Sequence, residues 1–416
     1  MNYGCIARKL GHSFSKTIHG RIDSYDYQLR ELMPEELDAF MRAKDFQGIN
    51  VTIPYKESVL PYLDHISDTA RAIGAVNTVV NRSGELWGFN TDFGGMRALI
   101  RHMGLDLTGR KVLILGSGGT SKTARAAAGS LGASEIVTVS RRPGEHAVSY
   151  ETAAACHSDG EMIINTTPCG MFPEIDRQPI GLDAFPRLEG VVDAVFNPLA
   201  SRLVLDARRR GMKAQGGLYM LVAQAVLAAH LFTGKEYPAD LTDRIYRELL
   251  AEKKNLVLIG MPGSGKTTVG RLLAQRLNRP FVDLDAQIAA RDGRSIPEIF
   301  AQSGEDTFRT LETACVREVA VQNGLVIATG GGSILREENV RLLKQNGELI
   351  FLDRPPESLC PTDDRPLSDT MEKMHLLYEQ RLPLYRAAAD RIVAVNGEAK
   401  TVAERIASDE NGEWIR

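Results

Sequence analysis

The sequence predicts an α/β protein of more than one domain, with parallel sheets covered by helices on both faces. Three observations carry this. Strand-like apolar runs alternate with helix-like segments along all 416 residues. The loop Gly116-Ser117-Gly118-Gly119-Thr120-Ser121 follows directly on the apolar run Val112–Leu115. A second loop, Gly260-Met261-Pro262-Gly263-Ser264-Gly265-Lys266-Thr267, follows directly on Leu256–Ile259. A glycine loop between a buried strand and a helix turns backbone N–H groups and the positive helix end toward a phosphate. The chain therefore carries two phosphate-cradling loops of different design.

The elements follow in order. Gly48–Pro54 (G-I-N-V-T-I-P) reads as a short strand closed by proline, Lys111–Leu115 as a buried strand, and Thr120–Leu131 as an alanine-rich helix. Glu135–Val139, Glu161–Asn165 and Val191–Val195 continue the strands. A long apolar helix is expected over Leu218–Leu231 and a more polar one over Thr242–Glu252. Strand, loop and helix then restart at Asn255, with the helix after the loop running Thr268–Leu277. No Gly/Ser- or Pro-rich spacer lies near Ala251–Lys254, so the junction reads as a tight joint rather than a tether.

Composition narrows the function classes. Hydrophobic residues make up 43% and charged residues 25%, which suits two or three domains with ordinary cores. The net charge is -3, and basic residues cluster only briefly, as in Arg208-Arg209-Arg210 and Lys253-Lys254. Such clusters read as solvated helix faces, not as a stripe for nucleic acid or lipid. The five cysteines are scattered without C-x-x-C spacing, against a disulfide framework or a zinc site and for a reducing compartment. Met1–Lys9 has no apolar signal core, and the apolar run near Leu221–Phe232 contains Gln224 and His230 and is too short to span a bilayer. The expectation is a soluble cytoplasmic protein with small-molecule partners, neither nucleic acid nor membrane; a homo-oligomer is compatible with either part.

The first loop suits a dinucleotide. The end of the following strand selects which one. Ser140-Arg141-Arg142 stands where an NAD enzyme places a carboxylate on the ribose hydroxyls. Guanidinium groups pair with a 2′-phosphate instead, so NADP(H) is expected. Upstream, polar residues gather at element ends: Ser13 and Ser15 in G-H-S-F-S, Asn50, Thr52 and Lys56 in N-V-T-I-P-Y-K, Asn77 in G-A-V-N-T, and Asn90 and Asp92 in N-T-D. Taken singly, each reads as a turn or cap residue.

Together with G-S-G-G-T-S, I-I-N-T-T-P-C-G-M and G-G-L-Y-M-L-V-A-Q, these motifs make residues 1–250 resemble the shikimate dehydrogenase family. The resemblance implies that Ser13 and Ser15 hold a substrate carboxylate, and that Thr52, Asn77, Asp92 and Gln224 hold ring hydroxyls. It implies Lys56 and Asp92 as the catalytic pair, and Gly217 as a further cofactor contact. The chemistry agrees: reducing a ring ketone needs a proton at the oxygen, which an ammonium supplies and a carboxylate steadies. Two residues depart from the family habit. Lys16 replaces a frequent proline, and Phe196 replaces a frequent tyrosine, removing one hydroxyl. Nearby Tyr219 is not shown by sequence to replace it.

The second loop is the stronger signal. Its N–H groups wrap a triphosphate, with Gly263, Ser264, Gly265, Lys266, Thr267 and Thr268 as ATP contacts and the Thr267 hydroxyl as a magnesium ligand. Asp283 and Asp285, read as the end of the next strand in V-D-L-D, offer one carboxylate to Mg2+ and one to a substrate hydroxyl. Arg309 and Arg381 offer bidentate grips for a carboxylate, and Gly330-Gly331-Gly332 after Val326–Ala328 lets a ligand approach the backbone. With G-R-S-I-P-E-I-F, F-R-T-L-E, D-R-P-L and R-L-P-L-Y, residues 255–400 resemble shikimate kinase. This implies that Asp285, Arg309, Gly331 and Arg381 bind shikimate, that Thr267 and Asp283 serve magnesium, and that Arg365 closes a lid over the phosphates. The segment before it, Leu359–Asp364, lacks the further arginine the family commonly carries there.

The expected fold is thus a shikimate-dehydrogenase-like α/β substrate domain (residues 1–100, joined by returning helices at about 219–252), a Rossmann NADP domain (101–218) and a P-loop kinase-like parallel α/β domain (253–416). The expected function is a bifunctional shikimate-pathway enzyme using NADP(H), ATP and Mg2+. Two alternatives stand beside it. One is a quinate- or cyclitol-type dehydrogenase fused to a small-molecule kinase, disfavoured by Arg141 and Arg142. The other is a non-catalytic sensor, disfavoured because Lys56, Asp92, Lys266 and Asp285 are all present.

Overall fold

The structure is a computed structural model describing residues 1–10, 14–359 and 371–409. The chain divides into two compact units, Met1–Glu248 and Leu249–Arg416.

The first unit holds two sheets. Strands β1 (Tyr3–Ala7), β2 (Tyr27–Glu31), β3 (Gly48–Val51), β4 (His65–Ile66), β5 (Thr78–Arg82) and β6 (Glu85–Phe89) pair in the order β2-β1-β3-β5-β6-β4. The parallel pattern is interrupted by β5, which runs antiparallel to β3 and β6. Its hairpin turns on Ser83 and Gly84, at φ 55° and 93°, two successive left-handed residues whose twist matches the strands. One face of this sheet packs Ile6, Ile49, Val51, Val79 and Leu86 against Leu37, Phe40 and Met41. The other packs Cys5, Tyr27 and Val80 against Ala228 and Phe232 of the helix Leu218–Thr233. Gly48 permits that approach: a Cβ there would lie 2.3 Å from the Phe232 ring.

The second sheet is wholly parallel: β7 (Lys111–Leu115), β8 (Glu135–Val139), β9 (Met162–Asn165), β10 (Gly190–Asp193) and β11 (Lys213–Gln215), in the order β11-β10-β9-β7-β8. Alternate residues of β7 enter different cores, Val112 and Ile114 with Ala124, Ala127 and Ala128, and Leu113 and Leu115 with Leu203, Val204 and Ala207. Burial on both faces is why β7 reads as an unbroken apolar run. Strand order reverses at β7, the switch point beside which such sheets bind nucleotides. β10 stops two residues short of the expected Val195 because the Asp193 carboxylate accepts the Val195 N–H and turns the chain.

The second unit carries one parallel sheet, β12 (Asn255–Ile259), β13 (Phe281–Asp283), β14 (Val326–Ala328), β15 (Gly347–Asp353) and β16 (Arg391–Ala394), in the order β13-β14-β12-β15-β16. The helix Lys266–Leu277 packs Val269, Leu273 and Ala274 over it, beside Val402, Ala403 and Ile406 of the helix Ala399–Asp409. The strand expected through Asp285 ends at Asp283. That residue instead caps the helix Leu284–Asp292, its Oδ1 accepting the N–H groups of Asp285 and Ala286 at 3.1 and 3.3 Å. Asp285 thus lies in the first helical turn, not on the strand. Among the described residues no helix is long and apolar enough to cross a membrane.

Candidate active sites

In the first unit, Asp92 lies in the first turn of the helix Thr91–His102, where the helix end favours a carboxylate. N-T-D places it there because Asn90 is the cap. The Asn90 Oδ1 accepts the Phe93 N–H at 3.0 Å and its Nδ2 donates to the Ala75 carbonyl at 2.9 Å. Lys56, in the turns after β3, donates from Nζ to Asp92 Oδ2 at 2.6 Å, both side chains being mostly buried. Asn77 accepts the Thr91 N–H at 2.7 Å and donates to its hydroxyl at 3.0 Å. That hydroxyl also lies 3.3 Å from Gln224 Oε1. Lys56, Asp92, Asn77 and Gln224 therefore belong to one connected cluster. Thr52 is partly exposed just beyond β3, and Ser15 opens the helix Ser15–Ile22 and hydrogen-bonds the Tyr27 phenol. Ser13 lies outside the described residues.

Sequence reasoning missed the floor of this cluster. Tyr27 donates to Asn50 Oδ1 at 2.7 Å, and His19 stacks on the Tyr27 ring at 3.9 Å. Burial pushes the Cys5 thiol up to about 12, although the nearby Lys56 charge opposes this. Burial pushes His19 down to about 3 and the Tyr27 phenol well above its ordinary value. All three are neutral near pH 7, so no further charge competes for the Lys56–Asp92 pair from below. Thr91, the centre of N-T-D, was also missed; its only sequence signal is its position between two polar residues already singled out.

At the switch point Gly116 adopts φ 111° and packs so closely that a Cβ would lie 2.7 Å from the Thr166 hydroxyl. A Cβ on Gly118 or Gly119 would meet nothing within 4 Å, so that side of the loop is open. Ser121 is buried in the helix's first turn and Thr120 half-buried. Ser140 Oγ lies 3.2 Å from Ser117 Oγ and accepts the Arg142 N–H at 3.2 Å, tying the end of β8 to the loop. Arg141 and Arg142 are exposed there. Gly217 caps the helix Leu218–Thr233, and a Cβ would sit 2.4 Å from the Ala194 carbonyl oxygen. Phe196 packs on Phe14, ring centroids 5.6 Å apart. Tyr219 does not stand in for the missing hydroxyl: it donates to Asp243 at 2.8 Å and stacks on His102. Asp193, also missed, is fully buried and accepts from Asn165 Nδ2, the Val195 N–H and Ser201 Oγ at 2.9, 3.0 and 2.5 Å.

In the second unit, Gly263 and Gly265 take φ 79° and 93° to form the loop, and Lys266 Nζ donates back to the Gly260 and Met261 carbonyls at 2.8 Å each. Ser264 is buried, and Thr267 and Thr268 are exposed at the helix start. The Thr267 hydroxyl donates to Asp283 Oδ2 at 2.8 Å. The triple glycine gathers the remaining residues. A Cβ on Gly330 would sit 2.7 Å from Asp285 Oδ1, and one on Gly332 would sit 2.3 Å from the Arg309 guanidinium. The Gly331 carbonyl accepts from Arg381 NH1 at 3.1 Å and from the buried Tyr385 hydroxyl. The structure thus brings Asp285, Arg309, Gly331 and Arg381 to one loop. Glu312 was missed, though F-R-T-L-E places it one turn after Arg309. It is fully buried, accepts from Arg309 NH1 at 2.9 Å, and accepts from the Ser333 hydroxyl at 2.5 Å. Arg365 and the lid segment from Cys360 lie outside the described residues.

A dinucleotide-type switch point beside a lysine–carboxylate pair, and a P-loop beside two arginines and a carboxylate, define a two-part α/β enzyme acting on small molecules. Residues 5–79 match the family model "Shikimate dehydrogenase substrate binding domain", and residues 262–410 match the model "Shikimate kinase". The chain is 32% identical over 288 residues to the NADP(+) shikimate dehydrogenase of Moorella thermoacetica, covering 96% of that protein and 63% of this one. Shikimate dehydrogenase 1 of Peptoclostridium difficile superposes with a TM-score of 0.55 at 33% identity, over 60% of this chain and 98% of that one. The shikimate 5-dehydrogenase of Thermus thermophilus, solved with NADP(H) and shikimate, gives 0.54 at 30%, over 60% and 99%. The chain belongs to the shikimate dehydrogenase family and carries a shikimate kinase domain after it, a fusion of two shikimate-pathway enzymes.

Proposed function

We propose that the first unit reduces 3-dehydroshikimate to shikimate with NADPH, and that the second phosphorylates shikimate to shikimate 3-phosphate with ATP. The observation that carries the first half is the Lys56–Asp92 contact of 2.6 Å, with the neutral side chains of Cys5 and His19 buried near it. The relatives' NADP(+) names and the NADP(H)–shikimate complex support the choice of ligands. Bound NADPH supplies a hydride to the ring carbonyl carbon. Lys56 Nζ delivers the proton to the carbonyl oxygen, and Asp92 keeps that ammonium charged and aimed. Ser13 and Ser15 hold the carboxylate, and Thr52, Asn77, Asp92 and Gln224 hold the ring hydroxyls. The open side of Gly118 and Gly119, with Gly116, Ser117, Thr120, Ser121 and Gly217, accepts the dinucleotide, and Ser140, Arg141 and Arg142 take the 2′-phosphate. A quinate dehydrogenase with NAD would lack a use for those two guanidinium groups. Residues 1–100 with 219–252, 101–218 and 253–416 are the corresponding domains, and the free thiols of Cys5, Cys156, Cys169 and Cys315 support a reducing cytoplasm.

In the kinase half, Gly263–Thr268 wrap the phosphates and Lys266 exchanges its loop carbonyls for phosphate oxygens. Asp285 orients the attacking hydroxyl and takes up its proton, while Arg309, Gly331 and Arg381 hold the substrate. Arg365 stabilises the migrating phosphoryl group. The Thr267 hydroxyl and Asp283 Oδ2 are adjacent hard oxygen donors at the loop, a pair that suits Mg2+. Magnesium there neutralises charge on the phosphates.

Two assays on the full chain test the reading, NADPH oxidation with 3-dehydroshikimate and ADP release with shikimate. Lys56→Ala should abolish most of the first and leave the second at wild-type rate. Unchanged NADPH oxidation in that variant, or no ADP release with shikimate from the wild type, would remove the corresponding half of the assignment.

A further inference from the structure

Arg309 is held by two carboxylates of unequal standing. Its NH1 donates to Glu312 Oε2 at 2.9 Å, while its Nε and NH2 both donate to a single oxygen of Glu305, at 3.2 and 3.0 Å. Glu312 is wholly buried and its second oxygen is taken by Ser333. The Glu305 side chain is 46% exposed and its carboxylate makes no other hydrogen bond among the described residues. Both residues flank Arg309 on one helix, Ile296–Ala320, yet only Glu305 lines the open cleft that it shares with Asp306, Arg309, Leu335 and Arg336.

A guanidinium grips a carboxylate bidentately through one of its edges. On Arg309 the Nε/NH2 edge is occupied by Glu305, and the NH1/NH2 edge is shared between the two glutamates. A ligand carboxylate must therefore displace one of them, and only Glu305 has solvent to move into.

We propose that Glu305 is a displaceable stand-in for the substrate carboxylate: it fills the Nε/NH2 edge of Arg309 until shikimate arrives, and so sets how tightly that acid binds. This rests on the reading of Arg309 as the carboxylate grip. The chain provides for the exchange. Gly304, at φ 79° and ψ 171°, breaks the helix immediately before Glu305, so Glu305 begins a new helical stretch. A released carboxylate in a first turn remains favoured by the helix end. Glu305 holds Arg309 ordered without a ligand and discriminates by charge: a carboxylate can replace it, a neutral group cannot.

The test is kinase kinetics of the full chain with Glu305→Gln and Glu305→Ala. A one-turn ion pair with one half-exposed partner offers modest competition, so KM for shikimate should fall about two- to fivefold at unchanged kcat. The carboxamide analogue of shikimate, unable to displace Glu305 in the wild type, should gain at least as much in kcat/KM from its removal, so the preference for carboxylate over carboxamide should narrow in both variants. A KM that rises or stays level in both variants would overturn the proposal, because Glu305 would then be a permanent brace. A carboxamide whose kcat/KM is unmoved by both variants would overturn it too. An Arg309→Ala chain with wild-type KM would instead remove the grip on which the proposal stands.

Discussion

Replacing Asp193 by asparagine should make the first unit more stable at neutral pH, and the effect should vanish in acid. Asp193 is fully buried at the end of β10, and burial raises its pKa from 3.8 to about 6 although three donors oppose the shift. In the unfolded chain the carboxyl ionises near its ordinary value, whereas in the folded chain it keeps its proton until about pH 6. The folded state therefore binds more protons between these values, and stability falls as pH rises through that window. Above it, about two pKa units correspond to a cost of roughly 3 kcal/mol. Asparagine has the same shape and no charge. Its Oδ1 can accept from Asn165 Nδ2 and the Val195 N–H as Asp193 does, and its Nδ2 can donate to Ser201 Oγ, which turns from donor to acceptor. Asp193→Asn should thus gain about 2–3 kcal/mol near pH 8, with the gain falling away as pH drops below the ordinary value of 3.8. Urea unfolding at several pH values, followed by retained dehydrogenase turnover, measures this, with kinase turnover as the control. Equal stability of variant and wild type at pH 8, with parallel pH slopes, would refute the reasoning and show that the three donors fully offset burial.

Other outcomes follow from the same geometry. Lys56→Ala should lower dehydrogenase kcat by about 10²–10⁴ while KM for NADPH stays level, measured by NADPH oxidation. Gly332→Ala puts a Cβ 2.3–2.6 Å from a guanidinium pinned by Glu305 and Glu312. The arginine must leave its place, so KM for shikimate in ADP release should rise about tenfold or more, the loss of one charge-assisted contact, with dehydrogenase turnover intact. Arg141→Glu combined with Arg142→Glu should raise KM for NADPH by at least about tenfold and narrow the preference over NADH, read by kcat/KM for each cofactor.

Local patterns carried much of this architecture into view. The strands Lys111–Leu115, Glu135–Val139 and Val326–Ala328 have the bounds their apolar runs imply; for the first and last, burial on both faces leaves little room for polar residues. Side-chain capping was less visible. V-D-L-D reads as strand to its end, but Asp283 satisfies two N–H groups and starts a helix, which moves Asp285 into a first turn. The floor of the first site was hidden for another reason. Cys5, His19 and Tyr27 come from β1, a helix and β2, and no spacing links them to Asn50, the one partner that N-V-T-I-P-Y-K had put in view. Asp193 and Glu312 look like ordinary acidic residues until burial is known, and burial is a property of the assembled sheet rather than of the flanking sequence.

The two clefts differ in how they treat charge, and the chemistry proposed for each accounts for it. In the first, Lys56 has to remain charged in order to give up a proton, and its partner Asp92 is the carboxylate that contacts it. A buried charge beneath the pair would shift that balance, and Cys5, His19 and Tyr27 avoid doing so because burial keeps each of them neutral. In the proposed assignment, substrate grip there falls to hydroxyls and amides, each of which taken singly reads as a turn or cap residue. In the second, the substrate acid must lie beside a triphosphate. Neutral donors would do little against repulsion between these anions, whereas guanidinium groups offset it. Arginines buried for that purpose need counter-ions of their own, and Glu312 serves Arg309 in that way. Arg309 was legible through F-R-T-L-E and the resemblance it carries, whereas its counter-ion Glu312 and the neutral groups near Lys56 emerge only when the structure is assembled.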